Sequence, residues 1–163
     1  MIDPVSASDE AGEYIELLNA TGDWLEVPAL RLSDDGVDDA PVVPLAGSPA
    51  VLGPGSFYVI CADDDWWSNG GVDCDATVFY RTFGGGFAMS NTEDEVVLSL
   101  EGGARLDRVV YSGSIVEPGE AIGVDPDDAT TYGNDDLDNW CTQWDLLSFG
   151  DGGSPGAEND DCW

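Results

Sequence analysis

The stretch FAMSNTEDEVVLSLEGGARLDRVVYSG, residues 87–113, decides the fold. Val96, Leu98 and Leu100 alternate with Val97 and Ser99, the two-residue period of a strand with one buried face. Residues 101–105, Glu-Gly-Gly-Ala-Arg, then supply a turn, because glycine takes positive φ at little cost. Residues 106–111 return as a second strand with Val109 and Tyr111 on one face. Two antiparallel strands cannot bury such a face alone, so further sheet must cover it. The hairpin therefore predicts a β-sandwich.

Upstream, residues 6–12 read as a polar loop and residues 13–19 as a strand that ends in a turn at Asn19. Residues 24–33 hold a strand pair or one bent strand, with the break or the edge at Pro28, which cannot donate to a ladder. An acidic loop at 34–40 leads to a short extended piece at 42–45 and a Gly- and Pro-rich stretch at 47–55. Phe57-Tyr58-Val59-Ile60-Cys61 is apolar on both faces and reads as a buried strand. Residues 78–83 continue the sheet, Gly84 to Gly86 form a turn, and residues 121–124 make a late strand. The remaining C-terminal third reads as loop. Short strands at this spacing, with no helical period, predict one all-β domain over residues 1–163.

Composition narrows the function. The chain has 163 residues, enough for one sizeable core, and its six Trp, five Tyr and five Phe argue against disorder. Its net charge is -30, from 34 acidic residues against four Arg and no Lys. Such a surface repels nucleic-acid phosphates and anionic membranes, so no nucleic acid is expected among its partners. No apolar run is long enough to span a bilayer, so no membrane insertion is expected. Residues 1–4 have neither the basic start nor the apolar run of a signal peptide, so either a leader was removed or this is a piece of a longer chain.

Cys61, Cys74, Cys141 and Cys162 can pair in three ways. Proximity favours Cys61 with Cys74 and Cys141 with Cys162. The absence of C-x-x-C spacing and of His argues against a zinc site. Two disulfides place the protein in an oxidising compartment, extracellular or at the cell surface.

The loop between Cys61 and Cys74 contains the first candidate site. Asp63, Asp64 and Asp65 repel one another unless solvated or bound to a cation, and Trp66 and Trp67 offer flat surface to a sugar ring or a protein. Asp125, Asp127 and Asp128 are further candidate calcium ligands, although no EF-hand spacing is present. No cofactor is required by the sequence, and calcium is the one metal it admits. Glu13 and Glu16 are the nearest thing to an acid–base pair, but on a strand they point to opposite faces, each expected to be solvated. With no His, no Lys and no nucleophile elbow, an acidic-pair hydrolase is a remote reading and the chain is expected not to be an enzyme.

Several stretches together resemble the lamin tail domain family. GEYIELLN (residues 12–19), LRLSDD (30–35) and LGPGSFYVI (52–60) are similar to its motifs, in the family's order. So are the hairpin at 87–113, Asn139-Trp140, and GSPGAEN at 153–159. Leu30 stands where the family usually has Trp, and Glu93 where it often has Gly. The cysteines look like those of secreted bacterial versions. The resemblance implies an immunoglobulin-like β-sandwich with long acidic loops and no catalytic residues of its own. It implies an accessory module that binds an extracellular protein or polysaccharide; the acidic runs at 63–65, 125–128 and 134–138 give a calcium-stabilised adhesion domain as the alternative.

Overall fold

A computed structural model describes residues 1–34, 36, 38–80 and 86–162. A single helical turn, α1 (Asp9–Gly12), precedes β1 (Tyr14–Leu18), β2 (Leu25–Glu26), β3 (Leu30–Ser33), β4 (Asp39–Pro44), β5 (Val51–Leu52) and β6 (Phe57–Cys61). There follow β7 (Ala76–Val78), the hairpin β8 (Glu93–Leu100) and β9 (Arg105–Ser112), then β10 (Ile122–Val124) and β11 (Trp140–Thr142). Among the described residues strands and bridges account for 36% and helical turns for 8%, so the fold is mostly β.

The hairpin forms as its pattern requires. Val96 faces Val109 and Asp94 faces Tyr111 across the ladder, with an irregularity between Leu98 and Ser99. Gly102 and Gly103 carry φ of +116° and +98° in the turn, which closes with Leu100 N donating to Ala104 O at 2.8 Å. Val96, Leu98 and Leu100 face the main core. Tyr111 is buried, and its hydroxyl donates to Ser90 O at 2.7 Å, which anchors the start of the hairpin to its end.

The cover over the hairpin comes from the same sheet. Seven strands run in the order β1-β6-β7-β4-β3-β8-β9, curled so that Tyr58 and Ile60 of β6 share one core with Leu30 and Leu32 of β3 and with Tyr111 of β9. The curl has a local cause. β4 pairs with β3 through Asp39 to Pro41, then with β7 through Val42 to Pro44. Pro41, which has no N–H to donate, stands where the partner changes, so it leaves no gap in the second ladder. β7 in turn pairs with β6, in parallel. β2 with β5 and β10 with β11 make two small antiparallel ladders.

β6 is buried on both faces, as its sequence predicts. Tyr58 and Ile60 enter the main core, whereas Val59 and Cys61 enter a second one with Tyr14, Val72 and Ala121. Each such fully buried apolar side chain contributes roughly 1.5–3 kcal/mol. The cysteines pair locally, Cys61 with Cys74 and Cys141 with Cys162. Loops of 13 and 21 residues give about 3 kcal/mol each by restricting the unfolded chain. Asp151, 5% exposed, fastens the N-terminal segment to the C-terminal one: its carboxylate accepts from Ser6 Oγ at 2.8 Å and from the backbone N–H groups of Val5 and Ser6.

Several expectations need correction. The polar loop at 6–12 contains α1, and the extended piece at 42–45 is the end of a strand that begins at Asp39. β5 forms inside the Gly- and Pro-rich stretch, and the C-terminal third holds β11 and three 3-10 turns rather than loop alone. The break near Pro28 is present between β2 and β3. Of the expected continuation of the sheet over 78–83, β7 ends at Val78 and Tyr80 bridges Phe87, and residues 81–83 are not among those described. Residues 81–85, Asp35 and Val37 of the acidic loop, and Trp163 lie outside the described residues.

Candidate functional site

The disulfide-closed loop is built around Asn69, which is 2% exposed. Its Nδ2 donates to Val72 O at 2.9 Å and Asp63 O at 3.1 Å, while its Oδ1 accepts from the N–H groups of Gly71 and Val72. Within this frame the aspartates have structural work. Asp63 accepts from Asp65 N at 3.0 Å and Ser68 Oγ at 2.8 Å, and Asp65 accepts from Trp67 N at 3.0 Å. Asp64 is exposed. The carboxylates thus satisfy backbone donors of a tight loop, the usual use of Asp at turns.

That loop lifts its two tryptophans to the surface. Trp66 is half-buried and Trp67 is 77% exposed. Their rings meet edge to face at 4.8 Å and 89°. Phe149 joins both, 5.0 Å from Trp66 and 5.9 Å from Trp67. Gly71, at φ +88°, permits this approach, because a Cβ there would lie 2.9 Å from the Phe149 ring. The result is an exposed three-ring patch rather than a lone tryptophan pair. Phe149 gave no signal in the sequence, since its partners lie far back along the chain.

The second acidic run is also used internally. Asp125 caps Asp127 N at 2.9 Å and accepts from Cys162 N at 2.8 Å, while Asp127 and Asp128 face solvent. Among the described residues no group of three acidic or cysteine side chains has the arrangement to hold a metal ion.

Glu13 and Glu16 do lie on opposite faces, but neither is solvated as expected. Glu13 is 3% exposed; its Oε2 accepts from Met89 N at 3.1 Å and its Oε1 has no partner among the described residues. Burial pushes its pKa up to about 8, against the pull of that N–H. Glu16 is pushed up to about 7, again chiefly by burial, and accepts from Gly156 N. The correction has one cause. Segments distant in the chain cover both carboxylates: Glu13, just before β1, lies against the backbone at Met89, and Glu16 lies under the C-terminal segment at Gly156.

β1 and β9 are the two edges of the curled sheet, and they do not pair with each other. Between them lies an apolar cleft of about 620 Å³. Ile15 and Leu17 of β1 form one wall, and Leu98 of β8 with Val109 of β9 forms the other. Ile122 and Val124 of β10 and Trp140 also line it. Its size and character match small-molecule sites. The inward alternation on β1, β8 and β9 is legible in sequence, but nothing there shows that the space it faces is unfilled.

No helix among the described residues is long and apolar enough to cross a membrane. No protein-family model, curated protein or solved structure matches the chain.

Proposed function

We propose that the chain is a non-catalytic extracellular binding module, an immunoglobulin-like sandwich of the lamin-tail type, that docks a protein or polysaccharide through the Trp66–Trp67–Phe149 patch. The observation that carries this reading is the exposure of Trp67 at 77% on a loop held by a disulfide and by Asn69. A large aromatic kept in water by a rigid support costs solubility and gains contact area for a partner at little entropic loss. Support for the extracellular placement comes from the two disulfides. Support for the lamin-tail reading comes from the order of the matched motifs, with Leu30 filling the core at the usual Trp position. The surrounding acidity favours neutral or cationic partners.

Replacing Trp67 by Ala tests the proposal. Because the ring contributes little to the core, the melting temperature should stay close to the wild type, while retention on a panel of insoluble polysaccharides and surface proteins should fall at least about tenfold for whichever member binds, a typical loss for an aromatic hot spot. Binding that survives in Trp67→Ala removes the patch from the function. Unfolding of the variant would show that the ring is structural.

A further inference from the structure

The angles between the rings of the aromatic patch narrow the class of partner. Trp67 is 77% exposed and keeps most of its surface in water. Trp66, Trp67 and Phe149 meet at 89°, 60° and 66°, so no two of the rings share a plane. A polysaccharide lays successive flat sugar faces on rings set side by side in one plane, and this cluster offers no such platform. It offers single ring faces, steeply inclined to one another. The negative face of an indole attracts a cation, more strongly than the face of Tyr or Phe does.

Charge complements the rings. The patch is built from the loop of residues 61–74 and the segment 144–149, and neither stretch contains a basic residue. Between them they carry Asp63, Asp64, Asp65, Asp73 and Asp145. Asp64 and Asp65 are exposed, and Asp65 Oδ1 accepts from Trp67 N at 3.0 Å, which holds that carboxylate beside the residue bearing the exposed ring. The Cys61–Cys74 disulfide and Asn69 fix the loop, so ring and carboxylates are presented together and little ordering is left for a partner to impose. A guanidinium matches both features. It is planar and weakly hydrated, so it stacks on an aromatic face while its N–H groups donate to a carboxylate, whereas an ammonium is a compact and strongly hydrated charge.

Resting on the reading of Trp66, Trp67 and Phe149 as the docking surface, we infer that the partner is a protein presenting an arginine-rich segment, with a guanidinium stacked on Trp67 and donating to Asp64 or Asp65. The patch is thereby committed to a basic protein, and a polysaccharide becomes the competing outcome.

Magnetic-resonance titration of the folded protein in physiological salt compares three probes: a short peptide of alternating Gly and Arg, the same peptide with citrulline for Arg, and a soluble neutral chito-oligosaccharide. Citrulline keeps the shape of arginine without its charge. The arginine peptide should shift the indole N–H resonance of Trp67 to saturation, with the citrulline peptide at least about fivefold weaker and the oligosaccharide not saturating. Trp67→Leu keeps apolar surface without the ring and should weaken the arginine peptide about two- to fivefold. Asp64→Asn with Asp65→Asn should weaken it about fivefold. Asp127→Asn with Asp128→Asn removes the same charge from another loop and should change it less than about twofold, because salt screens charges beyond about 8 Å. Equal losses from the two double variants, undiminished binding to Trp67→Leu, or a citrulline peptide that binds as tightly overturns the proposal. The wild-type titrations decide it alone if a variant does not fold. The two readings also fail separately. An oligosaccharide that saturates the Trp67 resonance overturns the basic partner and leaves the patch standing, whereas an arginine peptide that binds without moving that resonance overturns the basic partner at this site.

Discussion

Glu13 holds its proton well above the ordinary carboxylate range, at a pKa of about 8 against 4.5 for an exposed side chain. Folding therefore competes with ionisation. Below pH 4.5 the group is protonated in both states and its contribution to stability is whole. Between 4.5 and 8 the unfolded chain has released the proton while the folded one keeps it, so stability falls as pH rises through that window and levels off above it. Glu16 adds the same sign between 4.5 and about 7. One pKa unit corresponds to about 1.4 kcal/mol, so the combined effect is on the order of a few kcal/mol. The buried Met1 amino group, pushed down to about 5, adds the opposite sign between 5 and 8. Thermal melts from pH 5 to pH 9 should separate the two through Glu13→Gln, whose midpoint should decline less, or rise more, towards alkaline pH than that of the wild type. A variant with the wild-type slope would place the pH dependence elsewhere, in the general acidity of the chain. None of this was legible in the sequence, where a Glu beside a strand reads as solvated; what encloses it is residues distant in the chain.

At the level of elements, the loop of residues 61–74 gives a prediction about calcium. Asp63, Asp65 and Asp125 each spend oxygen lone pairs on backbone donors, and the runs form no three-ligand group among the described residues. Melts with calcium and with chelator, at matched ionic strength, should therefore have the same midpoint; a rise with calcium would reveal a site that binds only the native state. The elements also show what a sequence can convey. β8, β9 and β6 are legible because five or more residues repeat a period-two or wholly apolar pattern. β5 and β11 are two and three residues long among Gly, Pro and Asp, so they carry no period, and only their partners make them strands. The local disulfides were legible from spacing. The aromatic patch was half legible, as Trp66 and Trp67, because Phe149 reaches them through tertiary structure. The cleft was not legible at all, since alternation shows which side chains face inward and says nothing about the volume they leave.

The whole molecule carries a net charge of -30 on 163 residues, and compaction brings those charges together. Screening should offset this self-repulsion, because the Debye length shrinks from about 30 Å at 0.01 M to about 3 Å at 1 M. The melting temperature should rise steadily as sodium chloride is raised across that range, and a flat profile would show that the charges are already well separated in the native state. The clasp at Asp151 has a further consequence, in the time domain. It joins residues laid down 146 positions apart, through the hydrogen bond from Val5 N–H to Asp151 Oδ2. A ribosome adds about 5–20 residues each second, so β1 emerges on the order of ten seconds before the segment that latches the chain ahead of it. During that interval Val5 and Ser6 lack the carboxylate that holds them in the finished fold. The nascent chain can close its first disulfide early, but it shuts its seam only as synthesis nears the second.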